Sequence, residues 1–413
     1  MKRVLLFTLI ALLVVLSFGS AVAFAQIPTF ASAVNSSVNV NSAELKQFVQ
    51  ELCELNGQGD KMATAIYLLG KFDEALANAS GVTTSVQEQY FGDGKSYSNI
   101  VAKIAKAGIS KQLIIGAHYD AVGQGAGDNA VGVAALYCTM KALAANANKI
   151  PFNVTFVAFD GEEDGLLGSD YFVNGRNGSG GMSAEEKANT LVMFNIDSIA
   201  LGQNMYLMCE NKHTTLANTI LTHAQGVQEK PYAKGIYGSH MDSFNYGYYE
   251  FVQGSDHTSF RLAGIPIAFF FSGEYKRGSW NFDPGSRVNT AADTYENLEG
   301  SQFVERIITV SNAIVDTVLD EQFPTVATNA RKELVNIKLW YNGWWPSLVV
   351  LGILIILAVF TFLYYRKLQK NSILGTAEIK TQKVFEKPDA SEIFSFADSN
   401  EKSDVDDIFT FKN

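Results

Sequence analysis

Short apolar runs alternate with helical patterns along the middle of the chain. The apolar runs are Leu113 to Ala117, Val154 to Phe159, Leu191 to Ile196 and Ile265 to Phe271. Apolar residues recur at helical spacing over Leu45 to Leu55, Lys61 to Leu76, Ala130 to Ala145 and Phe303 to Leu319. Continuous apolar strands separated by helices are typical of a sheet that is buried on both faces. The pattern therefore predicts one α/β domain over residues 42–322, with Ser42 as the N-cap of its first helix.

The N-terminus has the features of an export signal. A basic start, an apolar stretch from Val4 to Phe18 and small residues around Ala25 predict a secretory signal peptide over residues 1–25. An uncleaved signal anchor is the alternative. Residues 26–41 are rich in Ser, Asn and Val and are expected to form a flexible lead-in.

A second apolar stretch lies near the C-terminus, and it predicts a transmembrane helix over residues 346–365 after a juxtamembrane linker at 323–345. Tryptophans precede this stretch, tyrosines close it, and Arg366, Lys367 and Lys370 follow. This arrangement predicts a single-pass protein with its folded domain extracytoplasmic and a disordered cytosolic tail at 366–413. A buried core helix is the alternative.

Charge and cysteine content exclude other classes of protein. The formal net charge is −10, which makes nucleic acid a poor partner. Three cysteines, Cys53, Cys138 and Cys209, are too few and too scattered for a disulfide framework or a thiolate zinc site. No Gly-rich loop with a lysine follows a predicted strand, which counts against a nucleotide-binding site.

Candidate chemistry collects where the predicted strands end. His118, Glu162, Glu163 and Asp197 each come at or just after such an end, and Asp128 precedes the next helix. Ligands of open α/β sheets gather outside the carboxyl ends of the strands. Buried carboxylates without partners are costly, so this set predicts a metal site. Taken singly, each residue has another explanation: a surface pair, a helix cap or a solvated acidic turn.

Two pairs of neighbouring residues suggest a division of roles. Asp120 lies two residues after His118, on the same face of an extended chain, where it could orient the imidazole. Glu162 and Glu163 are adjacent, so their side chains point in different directions. One of them could bind a metal while the other faces a water molecule.

These residues lie in segments that closely resemble the M28 family of zinc aminopeptidases and carboxypeptidases. The matching segments are AHYDAVGQGAGDNAVGVAAL, VAFDGEEDGLLGSDYF, VMFNIDSIALG, GSDHTSFRLAGIPIAFFF and NTAADTYENL. The resemblance covers about residues 42–322. It implies a three-layer α/β/α fold of the zinc exopeptidase type, with a mostly parallel mixed central sheet.

The resemblance also implies roles for the site residues and two zinc ions. His118 and Asp197 would hold one ion, Glu163 would hold the other, and Asp128 would bridge them. Glu162 would be the general base, and Asp120 the partner of His118. The implied activity is hydrolysis of peptides from one end, with removal of N-terminal residues as the first choice and carboxypeptidase action as the alternative.

One position departs from the family pattern. Asn289 stands where the family normally has a histidine that completes the second zinc site, and an amide is a poorer zinc ligand. Three outcomes are open: weak binding of the second ion, substitution by His240 or His257, or an impaired homologue. The last would be a membrane-anchored binding protein. The departure also counts against a glutaminyl-cyclase-like variant.

Overall fold

The computed structural model describes residues 38, 41–92, 97–209, 214–229, 254–276, 279–281, 283–298, 302–341 and 345–382. The predicted signal peptide, most of the lead-in and the end of the tail lie outside these residues. Three free cysteines are all buried, and Cys138 lies within an apolar helix.

A nine-stranded mixed sheet forms the centre of the domain, in the order β1-β2-β4-β3-β5-β8-β6-β7, with β9 paired to β8. The strands are β1 (Thr83–Phe91), β2 (Tyr97–Ala105), β3 (Gln112–His118), β4 (Asn153–Phe159), β5 (Thr190–Ile196), β6 (Asn204–Cys209), β7 (Val227–Glu229), β8 (Ile267–Lys276) and β9 (Ser279–Asn281).

Most of the parallel pairing lies in the middle of the sheet, and β6 and β7 also pair parallel at one edge. Strands β4, β3, β5 and β8 run parallel to one another. Strands β1 and β2 form an antiparallel hairpin that joins antiparallel to β4, and β6 joins antiparallel to β8. The predicted mixed sheet is confirmed, with its parallel pairing concentrated at the centre.

Eleven α-helices lie within the described residues. They are α1 (Ser42–Gln58), α2 (Lys61–Leu76), α3 (Val131–Ala145), α4 (Leu167–Asn174), α5 (Ala184–Asn189), α6 (Thr214–Thr222), α7 (His257–Leu262), α8 (Tyr295–Leu298), α9 (Phe303–Leu319), α10 (Phe323–Tyr341) and α11 (Trp345–Gln382).

Two apolar cores lie on opposite faces of the sheet. Alternate residues of one strand belong to different cores: Ile115 of β3 packs with helices α1, α2, α3 and α9, whereas Ile114 packs with Phe172 of α4 and Phe260 of α7. This alternation follows from the two-residue period of a strand. It produces the three-layer α/β/α arrangement expected from the sequence.

Local signals define the first two helices. Asn41, not the predicted Ser42, is the N-cap of α1, because its Oδ1 accepts a hydrogen bond from the Ala43 N–H at 2.9 Å. Gly59 ends α1 in a left-handed conformation with φ 70°, which glycine adopts without steric cost. Asp60 then caps α2 by accepting from the Ala63 N–H at 3.0 Å.

The chain falls into two compact units, divided between Trp340 and Tyr341. In the first unit, α10 begins at the predicted linker, yet Phe323 is fully buried and contacts the rings of Phe152 and Phe194. In the second unit, helix α11 contains the predicted span. Within the described residues, the stretch Val350–Asn371 is long and apolar enough to cross a membrane, which makes it a candidate span by length and composition.

A glycine in the central sheet offers a test of this packing. A Cβ at Gly116 would lie 2.5 Å from Cε2 of Phe159 and 3.3 Å from Cε of Met193. We expect Gly116→Ala to lower the free energy of unfolding by about 1–3 kcal/mol through overpacking. Denaturant unfolding of the detergent-solubilised chain would measure this change.

The matched control is Gly70→Ala on the exposed side of α2, where a Cβ meets nothing within 4 Å. We expect that substitution to raise the free energy of unfolding by about 0.5–1 kcal/mol, since alanine is the better helix former. Equal effects of the two alanines would contradict the packing described here.

Candidate metal centre

The strand ends meet at one edge of the sheet. His118 is the last residue of β3, and Asp197 directly follows β5, which pairs parallel with β3. Glu162 and Glu163 follow β4, the parallel neighbour of β3 on its other side. The topology thus places the carboxyl ends of three adjacent strands together, as the sequence pattern predicts.

Three of the predicted metal ligands form a tight group. His118 Nε2 lies 3.1 Å from Oδ1 of Asp128 and 3.3 Å from Oδ1 of Asp197. The ligand atoms of these three buried residues all lie within 4.8 Å of one another. Glu163 is not part of this group, although it lies close enough for its charge to interact with Asp128.

The electrostatics of the group are those of crowded negative charge. Burial is the largest cause that raises the pKa of Asp128, to about 6, and the charge of Asp197 adds to it. Burial opposes ionisation of Asp197 as well, but the neighbouring imidazole outweighs it and lowers the pKa of Asp197 to about 2. Burial disfavours a charged His118, yet Asp197 and Glu162 raise its pKa well above the usual value.

Asp120 contacts both the imidazole and the acidic loop. His118 Nδ1 lies 3.1 Å from the backbone carbonyl of Asp120 and 3.5 Å from its carboxylate Oδ1. The two carboxylate oxygens accept hydrogen bonds from the N–H groups of Glu162 and Glu163, each at 3.1 Å. The Asp120 carboxylate thus connects the end of β3 to the loop after β4.

The two adjacent glutamates are only partly exposed. Burial raises the pKa of Glu162 to about 10, with contributions from Asp197, Asp256 and Asp128. Burial, then the charge of Asp128, raises the pKa of Glu163 to about 7. Oε1 of Glu163 is buried and has no hydrogen-bond partner in the described part of the chain. A buried carboxylate oxygen of this kind needs a cation or a donor.

Asp128 is held by its backbone and does not cap a helix. The N-cap of α3 is Ala130, with no side-chain cap, so the alternative of Asp128 as the cap is wrong. Asp293 accepts hydrogen bonds from the N–H groups of Gly127 and Asp128 at 2.8 and 2.9 Å. Gly125 precedes this loop at φ 56°, where a Cβ would lie 2.2 Å from the Ala121 side chain.

Further residues that sequence reasoning missed also support the group. Asn129 Nδ2 donates to the Ile196 carbonyl at 2.9 Å, and Asn129 Oδ1 accepts from Gly132 N at 3.1 Å. The Asp128–Asn129 peptide bond is cis. Ser255 makes a hydrogen bond that helps to lower the pKa of Asp197. The only hint in the sequence is that Asn129, Ser255 and Asp293 lie within the family-like segments.

His257, one of the two histidines considered as substitutes for the missing ligand, is not in the group. His257 is buried, its ring stacks on Phe269 with the centroids 4.3 Å apart, and its Nδ1 lies 3.3 Å from Nδ2 of Asn195. His240 lies outside the described residues. Asn289 is exposed, with φ 57°.

One group of donors among the described residues could hold a metal ion. One imidazole nitrogen and two carboxylates are ligands that zinc accepts, and in this group they converge within 4.8 Å. Glu163 lies outside the group, and its buried Oε1 has no partner among the described residues.

Comparison with known proteins assigns the family. The model of peptidase family M28 matches residues 99–314, which is more than half of the chain. The chain belongs to this family, and the resemblance noted from the sequence is confirmed.

Individual relatives share low sequence identity with this chain. Leupeptin-inactivating enzyme 1 of Streptomyces exfoliatus is 27% identical over 268 residues, covering 62% of this chain and 55% of that protein. A probable leucine aminopeptidase 2 of Aspergillus oryzae is 25% identical over 241 residues, covering 55% and 46%. The chain thus spans about half the length of these curated relatives.

A solved structure gives the same fold. The LapA aminopeptidase of Legionella pneumophila aligns with a TM-score of 0.51 and 18% identity, covering 72% of this chain and 80% of that one. At this identity the likeness concerns the fold alone.

The raised pKa values of the carboxyl groups predict how the stability of the chelator-treated protein depends on pH. The folded pKa values of Asp128 (about 6), Glu163 (about 7) and Glu162 (about 10) exceed those of free carboxyl groups, so the folded state keeps protons that the unfolded state releases. Stability therefore falls as pH rises from about 5 to 8, and His118 adds to this fall above pH ~6.5. Asp197 acts in the opposite direction, but only below pH ~4.

Thermal unfolding midpoints from pH 5 to 8 would measure this effect, with zinc-loaded protein as the comparison. A bound cation removes the repulsion, so we expect a much flatter curve when zinc is present. Parallel curves for the two samples would contradict the assignment of this group as a cation site.

Proposed function

We propose that this chain is a zinc-dependent exopeptidase, and specifically an aminopeptidase. The observation that carries the proposal is the convergence of His118, Asp128 and Asp197 beside Glu162 at the carboxyl edge of the sheet. Membership of peptidase family M28 and the aminopeptidases among its relatives support peptide hydrolysis.

His118, Asp128 and Asp197 would hold a zinc ion. Zinc bound there would polarise the scissile carbonyl, and it would lower the pKa of a water molecule so that the water loses a proton and becomes a nucleophile. Asp120 would keep the imidazole oriented, because it lies against Nδ1 while Nε2 faces the two carboxylates.

Glu162 would act as the general base. It is partly buried next to the group, and its high pKa arises from burial and from the negative charges of Asp197, Asp256 and Asp128. With a zinc ion held by those carboxylates, their charge would be offset and the pKa of Glu162 would fall toward the working pH. Glu162 would then take a proton from the attacking water and deliver it to the leaving amine.

The second zinc would bind weakly. Glu163 and Asp128 would be its protein ligands, and Asn289 supplies no imidazole. We propose that the enzyme works with one tightly held ion, and that Glu163 completes a second position only when the zinc concentration is high.

The proposed setting is a membrane surface. The apolar stretch Val350–Asn371, with basic residues at Arg366, Lys367 and Lys370, supports a single span with the peptidase domain outside the cytoplasm. The substrates would be extracytoplasmic peptides.

Replacing the general base tests the mechanism. We expect Glu162→Gln to lower kcat on aminoacyl-anilides by about 10²–10⁴-fold, because proton transfer is lost, while the zinc content is unchanged. Elemental analysis of the same preparation would measure the zinc. Glu185→Gln, in exposed helix α5, is the control and should keep full activity.

Full activity of Glu162→Gln would refute the assigned role. If the folded, zinc-loaded native chain hydrolyses no member of an anilide panel, the alternative of an impaired homologue acting as a membrane-anchored binding protein stands. Asn289 is the residue that favours this alternative.

Restoring the missing ligand tests the number of ions. We expect the native chain to keep about one zinc after gel filtration and Asn289→His to keep about two, because an imidazole completes the second position. Thr290→His, one residue along the same exposed loop, is the matched control and should keep one ion. Two tightly held ions in the native chain would contradict the proposal.

A further inference from the structure

A depression of about 380 Å³ lies beside the loop that follows Asp197. Its wall includes Leu201, Gln203, Gly285, Arg287, Gln302 and Arg306. None of the described residues that line it is acidic, although the whole chain carries a formal net charge of −10. Two arginines therefore line a depression that has no acidic residue among its described lining, in an otherwise acidic protein.

Arg306 is held by carbonyl groups. Its Nη1 donates to the carbonyls of Ile199 and Gly202 at 2.9 and 2.7 Å, and its Nη2 donates to Gln203 at 3.0 Å. A guanidinium has five N–H donors, so two are left over. No carboxylate pairs with Arg306 within the described part of the chain. Burial also lowers the pKa of Arg306, which means that its charge is poorly solvated.

The guanidinium group of Arg287 also donates a hydrogen bond to a backbone carbonyl of this loop. Its Nη2 donates to the Leu201 carbonyl at 3.0 Å, and its Nε lies 3.6 Å from Oδ1 of Asp283. The Asp283 carboxylate already accepts hydrogen bonds from the backbone N–H groups of Gly285, Arg287 and Val288. One carboxylate with three other donors compensates the Arg287 charge only in part and leaves that of Arg306 unpaired.

We infer that this depression binds a small oxyanion. Two planar guanidinium groups with unused donors match a ligand that presents two or more oxygens. Inorganic phosphate and the C-terminal carboxylate of a short peptide share this chemistry. Binding of an oxyanion at this site does not depend on the proposed peptidase activity. Only the identification of the oxyanion as a peptide carboxylate rests on that proposed function.

The position of the depression links it to the metal centre. Both arginines hold the 199–203 loop, and the Leu201 side chain of that loop packs against Gly127, next to Asp128. An oxyanion bound by the two arginines would therefore contact residues that hold this loop.

A variant that supplies a resident carboxylate tests the site. Gln302 is exposed at the rim, so Gln302→Glu adds a negative charge there without removing an arginine. Calorimetric titration of the zinc-loaded full chain with inorganic phosphate, at constant ionic strength, should show binding that weakens about tenfold or more in this variant. Gln87→Glu, on exposed strand β1, makes the same change elsewhere and should bind like the native chain.

Gln203→Glu, with an exposed side chain on the other wall, is a second variant in case the first does not fold. Phosphate held by the zinc would be unaffected by either substitution. Unchanged phosphate affinity in a folded variant, or no binding to the native chain, would overturn the inference.

Two peptide substrates separate the sources of the oxyanion. If KM is lower for a peptide with a free C-terminal carboxylate than for its amide, and Gln302→Glu removes that difference, the ligand is the peptide carboxylate. If the two KM values are equal and Gln302→Glu weakens phosphate binding, the ligand of the site is a free anion such as phosphate. If the native chain cleaves neither peptide, the proposed function fails, whereas the phosphate titration still tests the site.

Discussion

Mutual repulsion of carboxylates around one imidazole is the constraint on which the centre of this protein depends. Asp128, Asp197, Glu162 and Glu163 share a poorly solvated pocket with His118, and three of these carboxyl groups have raised pKa values because burial disfavours their charge. Such a pocket costs folding free energy unless a cation occupies it. Because this costly pocket lies at the carboxyl edge of a well-packed sheet, a metal-dependent function is favoured.

The pocket exists because distant segments hold its loops. Asp293 fixes the backbone at Asp128 from 165 residues away, and Asn129 ties the same loop to the end of β5. Asp120 does the same for the loop that carries the two glutamates. Each of these contacts joins segments that are far apart in the sequence, so the ligands are positioned by the tertiary fold and not by local structure.

The loop after Asp197 contacts both a basic and an acidic part of the molecule. Arg287 and Arg306 donate hydrogen bonds to its carbonyl groups, and its Leu201 side chain packs against Gly127, next to Asp128. The segment that contains Arg287 also contains Asn289, where the family pattern has an imidazole. The proposed second metal position and the depression beside the arginines therefore draw on the same segment of the chain.

Patterns in the sequence were enough to predict the strands that carry the site, the closing helix Phe303–Leu319, the apolar stretch near the C-terminus and the candidate ligands, because hydrophobic period and residue type are local properties. They did not predict the β1–β2 hairpin, whose outer strand is mostly exposed, nor Asn41 as the first cap. The convergence of His118, Asp128 and Asp197 and the support of the ligand loop by Asp293 and Asn129 became visible only in the folded chain. These distances depend on the strand order and on hydrogen bonds between segments far apart, which no local pattern encodes.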